Sequence, residues 1–207
     1  KSLLLTQARP IVDRRSDART AYLASQPSAD ALEMLRVDIE ERILPEMRHD
    51  ATELASVELS DLDNGELEAE ACRRAEIVTR WREEYRTAMI PFAHGARLLG
   101  RLYTDTLRPD DPFEYLTLLV RSEDEYAVHR SLLKELGSTA ELPTPDVTRS
   151  AKAQKRFLEA VTPEERSTAE KLLWLARASW RLRDDDNLYL SLLEREVDRA
   201  MSEVARR

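Results

Sequence analysis

Apolar residues in this chain return at steps of three and four, stretch after stretch, and that period belongs to the α-helix. Leu32, Leu35, Ile39, Ile43 and Met47 form one stripe; Leu67, Ala71, Ala75, Val78, Trp81, Tyr85 and Ala88 form a second. Phe92, Ala96, Leu99, Tyr103 and Thr106 make a third. Ala169, Leu172, Leu173, Ala176 and Trp180 make a fourth, with Leu175 and Leu182 on another face of the same helix. Tyr189, Leu193, Val197, Ala200 and Val204 close the series. Only 4 glycines occur in 207 residues, too few for the many tight turns of a sheet-rich fold. Ala, Leu, Glu and Arg, good helix formers, are abundant. The expected architecture is all-α, a bundle of long antiparallel helices.

Punctuation divides the rods. In residues 1–27 Pro10 interrupts any helix beginning at Ser2, a short helical stretch covers 12–23, and Ser25-Gln26-Pro27-Ser28 is a break. A helix then opens at Ser28 or Asp30 and runs to about residue 57. Pro45 lies inside it, removes a hydrogen bond and crowds the preceding turn, so a kink is expected at 41–44. Ser60 or Asp63 caps the next helix, and so short a turn sets the two rods antiparallel. Pro91 marks a further boundary, with a helix over about 92–107. Arg108-Pro109-Asp110-Asp111-Pro112 reads as stop, loop and restart, with Asp111 as cap. Ser122 caps a helix that ends in a left-handed Gly137. Residues 138–147, with Pro143 and Pro145, read as a linker between a main bundle (28–137) and C-terminal helices (148–207) packed on it. Thr162-Pro163-Glu164-Glu165 has the form of a capping box. The helix it opens is apolar around much of its circumference, hence central.

Charge narrows the function. Lys and Arg number 32 against 40 Asp and Glu, a net charge of −8, which repels a phosphate backbone and argues against nucleic acid. Cys72 has no second cysteine to pair with, in keeping with a reducing compartment. No apolar run is long enough to span a bilayer, and Ser2-Leu3-Leu4-Leu5 is too short for a signal-peptide core. The start on Lys1 rather than Met is expected of an excised or processed chain. A cytoplasmic domain is expected, without nucleic-acid or membrane partners.

Several constellations bear on chemistry. Gly95-Ala96-Arg97-Leu98-Leu99-Gly100 has the glycine spacing of a phosphate loop, but Arg101 and Leu102 stand where Lys and Ser/Thr should follow. Small residues that let helices approach closely explain it more economically. Glu46-Met47-Arg48-His49 matches one Glu-x-x-His unit of di-iron bundles, which need two copies; Glu125 and His129 do not complete the set, and His49 and His129 read as solvated. His94, near a helix start, is either a contact for a ligand phosphate or carboxylate or a hydrogen-bonded corner residue. In Arg181-Leu182-Arg183-Asp184-Asp185-Asp186-Asn187 the arginines suit the negative end of one helix and the aspartates the positive start of the next. A Gly-x-Ser-x-Gly elbow does not occur, and Cys72 has no base nearby in sequence. No residue is expected to be catalytic or to bind a metal.

The stretch Ile90-Pro91-Phe92-Ala93-His94-Gly95-Ala96-Arg97-Leu98-Leu99-Gly100-Arg101-Leu102-Tyr103-Thr104-Asp105, continuing through Pro109-Asp110-Asp111-Pro112-Phe113-Glu114-Tyr115-Leu116, resembles the helical region of phosphoenolpyruvate-synthase-like (pyruvate, water dikinase-type) phosphotransferases. Arg181-Leu182-Arg183-Asp184-Asp185-Asp186-Asn187-Leu188-Tyr189-Leu190 is similar to a second stretch of these domains, and the resemblance spans about residue 32 to the end. In such enzymes a grasp-like domain binds ATP, and a phosphoryl group passes to a histidine on a mobile domain. From there it reaches pyruvate or, in a resistance branch, an antibiotic hydroxyl. The helical region scaffolds this travel and in that branch forms the acceptor pocket. The resemblance implies a non-catalytic connecting domain whose partners are the nucleotide-binding and phosphohistidine domains of the same polypeptide. ATP and Mg belong to the full-length enzyme, with no cofactor in this chain. His94, Arg97, Arg101 and Arg183 are the candidate substrate-binding residues. The Gly-Gly pair before Thr/Ser-His-Ala that marks the phosphohistidine is missing, and His94-Gly95 inverts its order.

Two other classes compete. A ligand-sensing regulator needs a helix-turn-helix, yet Arg14, Arg15 and Arg19 lie in a region without a Gly-containing turn. A plain protein-interaction module needs only charged exposed helices.

Overall fold

The computed structural model describes residues 28–137 and 146–207; the expectations for residues 1–27 and for most of the 138–147 linker lie outside them. Among the described residues all regular structure is helical. The elements are α1 (Ala29–Asp38), a π-helical turn (Ile39–Ile43), α2 (Leu44–Ser56), a 3-10 turn (Leu59–Asp61) and α3 (Asn64–Phe92). Then follow α4 (His94–Leu107), a 3-10 segment (Glu114–Leu119), α5 (Glu123–Glu135), α6 (Val147–Ala160) and α7 (Arg166–Arg206).

Local chemistry sets most boundaries. Asp63 and Glu66 cap α3 reciprocally, Glu66 N donating to Asp63 Oδ1 at 2.8 Å and Asp63 N to Glu66 Oε2 at 2.9 Å. Ser122 and Glu125 do the same for α5. Gly137, at φ 76°, ends α5 in the left-handed region as expected. Pro45 has no N–H to offer the carbonyl of Glu41, and the chain widens just before it: Leu44 N–H bonds back five residues to the Ile39 carbonyl. The expected kink is thus a π turn.

Four boundaries differ from the sequence expectation. Pro91 sits inside the last turn of α3, and the break into α4 falls two residues later, at Ala93. Asp111 accepts from Phe113 N at 2.9 Å in a turn, and the segment beyond is 3-10 rather than a proline-started α-helix. The Thr162 hydroxyl donates to the Glu165 carboxylate at 2.9 Å instead of capping a backbone N–H, so α7 begins only at Arg166. Most consequentially, no helix ends near Asp184: α7 runs 41 residues through the charged cluster.

That helix, about 60 Å long at 1.5 Å per residue, is the axis of the molecule. α3 and α4 lie antiparallel along it: Leu67 and Ala71 pack near Ala200 and Val204, Arg74 meets Glu196, and Gly95 faces the backbone of Leu175 and Ala176. α1 and α2 run parallel to it, from Asp30 with Lys171 at 2.5 Å to Arg199 donating to the Ala55 carbonyl at 3.1 Å. α2 and α3 are antiparallel, tied by Trp81 Nε1 donating to Asp50 at 2.7 Å. One apolar core joins α1, α2, α3 and the middle of α7; a second gathers α4, α6 and the start of α7, where the Tyr103 and Phe157 rings lie 5.6 Å apart.

Candidate functional site

Along α7 the inward positions Leu175, Ala178, Leu182, Asp185, Tyr189, Leu192 and Glu196 are spaced by three and four, and two of them are acids. Asp185 and Glu196 are 5% and 3% exposed. A carboxylate taken out of water must be paired and hydrogen-bonded, and each of these meets a buried arginine from a neighbouring element.

Glu196 meets Arg74, which is fully enclosed by protein. Arg74 Nε donates to Glu70 at 2.8 Å, Nη1 to the Glu196 carbonyl at 2.9 Å and its carboxylate at 3.3 Å, and Nη2 to the Leu54 carbonyl at 2.8 Å. Every nitrogen of the guanidinium is used, so the centre fastens α2, α3 and α7 together.

Asp185 meets Arg121, on the strand of chain between the 3-10 segment and α5. Arg121 Nη1 donates to Asp185 Oδ1 at 2.8 Å, and Nη2 to the Arg181 carbonyl at 2.9 Å and to Asp184 at 3.3 Å. His129 Nδ1 lies 2.8 Å from the same Oδ1. A carboxylate only accepts, so Nδ1 carries the hydrogen. These contacts explain why α7 continues through Asp184 and Asp185: their charge is answered from α5 and its approach rather than by a helix N-terminus.

Unlike the Arg74 centre, this one opens onto a cleft of about 400 Å³ between α2, α5 and α7. Leu44, Pro45, Val128, Leu132, Leu182 and Tyr189 supply apolar wall, and Asp185 reaches it from below. The π turn places Glu40 on one edge, where it pairs with both Arg36 and Arg181. Arg181 also bonds Glu125 at 3.3 Å, forming a charged bar along the cleft. Arg48 pairs with Glu135 at 2.6 Å on another edge. Burial, with Asp185 and Glu135 nearby, pushes the Tyr189 hydroxyl above its ordinary value and so keeps it a neutral donor.

The residues singled out from sequence fall elsewhere. His94 is buried at the start of α4, and burial, then the charges of Arg97 and Arg101, hold its pKa below the ordinary imidazole value. Arg97 and Arg101 are exposed and line a shallow groove with Tyr115. A Cβ on Gly100 would stand 3.0 Å from that ring, and one on Gly95 3.5 Å from the α7 backbone. The paired glycines thus serve close packing, against a ring in one case and a helix in the other. Arg183 is not part of the groove; it stacks on Trp180 at 4.1 Å and pairs with Asp184 at 3.5 Å.

His49 is exposed beside Glu53, and Glu46 leans toward Arg42, so the Glu-x-x-His pair does not converge. His129 is not solvated as its sequence context suggested, because Asp185 draws its ring inward. Cys72 is exposed on α3. Among the described residues no cluster of three acids, histidines or cysteines is placed to hold a metal ion, and no helix is long and apolar enough to cross a membrane.

Sequence reasoning missed Arg121, His129 and Asp185 as a group. One signal was present: an acid in step with the apolar residues on either side of it is either an error of register or a buried charge. Comparison of the chain with protein-family models, curated proteins and solved structures finds no match.

Proposed function

We propose that this chain is a non-catalytic helical domain of a phosphoenolpyruvate-synthase-like phosphotransferase, working in the cytoplasm between the nucleotide-binding and phosphohistidine domains of one polypeptide. Its α2–α5–α7 cleft contributes to the pocket of the phosphoryl acceptor, while ATP and Mg belong to the partner domains.

The cleft is the observation that carries this reading. Residues 181–190, one of the two stretches that resemble these enzymes, contribute Arg181, Leu182, Asp185 and Tyr189 to its wall. The other stretch, 90–116, forms the end of α3, α4 and the 3-10 segment, and Gly95 and Gly100 fix how it packs. Both stretches therefore have a physical task along α7. Helices fastened to one another by buried ion pairs such as Arg74–Glu196 suit a scaffold against which other domains move.

Two experiments test the reading. The chain incubated with ATP and Mg should yield no phosphoprotein, and autophosphorylation would overturn its non-catalytic role. In the parent enzyme, Val128→Trp should fill the cleft and raise the acceptor KM at least ~10-fold, an effect of about 1.4 kcal/mol, leaving histidine phosphorylation by ATP intact. An unchanged acceptor KM would remove the cleft from the acceptor pocket. The same cleft also favours a ligand-sensing regulator, which retention on DNA at moderate salt would support.

A further inference from the structure

We infer that the α2–α5–α7 cleft binds a small organic cation, an apolar body bearing one ammonium group, with Asp185 as the buried counter-charge and Asp124 at the mouth. Such a ligand presupposes that the cleft is an acceptor pocket, and it specifies the chemistry of what enters.

Shape and wall come first. A cleft of about 400 Å³ with an aliphatic lining suits a molecule of drug-like size or smaller that buries an apolar body. Charge comes next. The lining holds four carboxylates, Glu40, Asp124, Glu125 and Asp185, against two guanidiniums, Arg48 and Arg181. Arg181 is taken by Glu40 and Glu125; Arg48 is ion-paired with Glu135, although its buried Nη1 makes no hydrogen bond there. Asp124, exposed in the first turn of α5, makes no ion pair among the described residues.

Asp185 sets the polarity of what the cleft can receive. Its side chain is 8% exposed, and the bonds from Arg121 and His129 both fall on Oδ1. No hydrogen bond among the described residues falls on Oδ2. A carboxylate oxygen has no hydrogen to give, so a group that meets it in the cleft must donate. Arg121 already divides itself between Asp185, Asp184 and the Arg181 carbonyl, and is not free to turn toward the cleft. A charged donor makes a stronger bond to a buried carboxylate than a hydroxyl does. Tyr189 adds an aromatic wall beside it, a surface that also attracts cations.

The test uses three probes on one skeleton: 2-phenylethylamine, 2-phenylethanol and 3-phenylpropionate. Each is titrated into the isotope-labelled chain while amide shifts are followed in α5 and the middle of α7. The amine should bind at least ~10-fold more tightly than the alcohol, the ratio expected when a charge-assisted bond replaces a neutral one, and the carboxylate should not bind. Asp185→Asn should weaken the amine by a similar factor, and Asp124→Asn, at an exposed site where folding is not at stake, by roughly 3-fold. Val128→Trp should abolish binding. Equal or tighter binding of the alcohol or the carboxylate in the same cleft overturns the cationic ligand while leaving an acceptor pocket in place. Shifts from none of the probes, with Val128→Trp also silent on acceptor KM in the parent enzyme, overturn both.

Discussion

Arg74 and Arg121 are both buried, both bonded to an acid on the inward face of α7, and both bonded to a backbone carbonyl. Around Arg74 the helices close completely, and each guanidinium nitrogen finds an acceptor within the protein. Around Arg121 the packing stops at a cleft, a histidine shares the acid, and no hydrogen bond among the described residues falls on one of the carboxylate oxygens. The same ion pair therefore does two jobs. Where nothing else can reach it, it fixes the register of three helices; where a cavity adjoins it, it presents a charge to whatever enters.

Removing one partner from each centre should separate these jobs. Arg74→Leu leaves Glu196 to Arg195 and Arg199 and Glu70 to Arg73, but it removes the buried cation that joins three helices and unpairs the Leu54 and Glu196 carbonyls it served; it should cost about 3 kcal/mol, read as a lower urea midpoint. A loss under about 1 kcal/mol would mean the closed centre relaxes and solvates. Arg121→Leu should cost less, roughly 2 kcal/mol, because the cleft lets water reach Asp185. Equal losses from the two variants would erase the distinction.

A third prediction concerns His94, away from both centres. Burial, Arg97 and Arg101 lower its pKa in the folded protein below the ordinary 6.5. The unfolded chain then binds the proton more readily, so this contribution to stability is complete above pH 6.5 and declines as pH falls below it. Urea midpoints at pH 7.5 and 5.5 should show this decline, and His94→Gln should reduce it; an unaltered pH dependence in the variant would contradict it. The smallest effect belongs to Gly100→Ala. The gain in helix propensity and the push against the Tyr115 ring at 3.0 Å oppose each other, leaving stability within about 1 kcal/mol of the parent. A loss of several kcal/mol would show that the ring has nowhere to move.

The apolar stripes were legible in the sequence because hydrophobic period and helix period coincide. Leu32, Ile39, Ile43, Met47, Phe92, Ala96, Leu99 and Tyr103 are all buried as their spacing required. The cap at Ser122 was legible too, and Asp63 was one of two candidates with Ser60; their reciprocal partners Glu66 and Glu125, three residues on, were not read. What the pattern hid were charges in apolar register. Ala75 was assigned to the inner face of α3 by its side-chain type, yet Ala75 is exposed and Arg74 is buried in its place. Asp184 and Asp185 suggested a helix start for the same reason, that a carboxylate's usual answer is local. Here the answers, Arg121 and His129, lie 64 and 56 residues away, a pairing that spacing along the chain does not encode.

The most direct measurement compares Asp185→Asn with Glu196→Gln, each removing one negative charge with little change of shape, in their affinity for 2-phenylethylamine under conditions where both are folded. Asp185→Asn should weaken the amine at least ~10-fold, with Glu196→Gln binding as the parent does while losing more stability. Matched affinities in the two variants would contradict the division of α7 into a fastening acid and a presenting one.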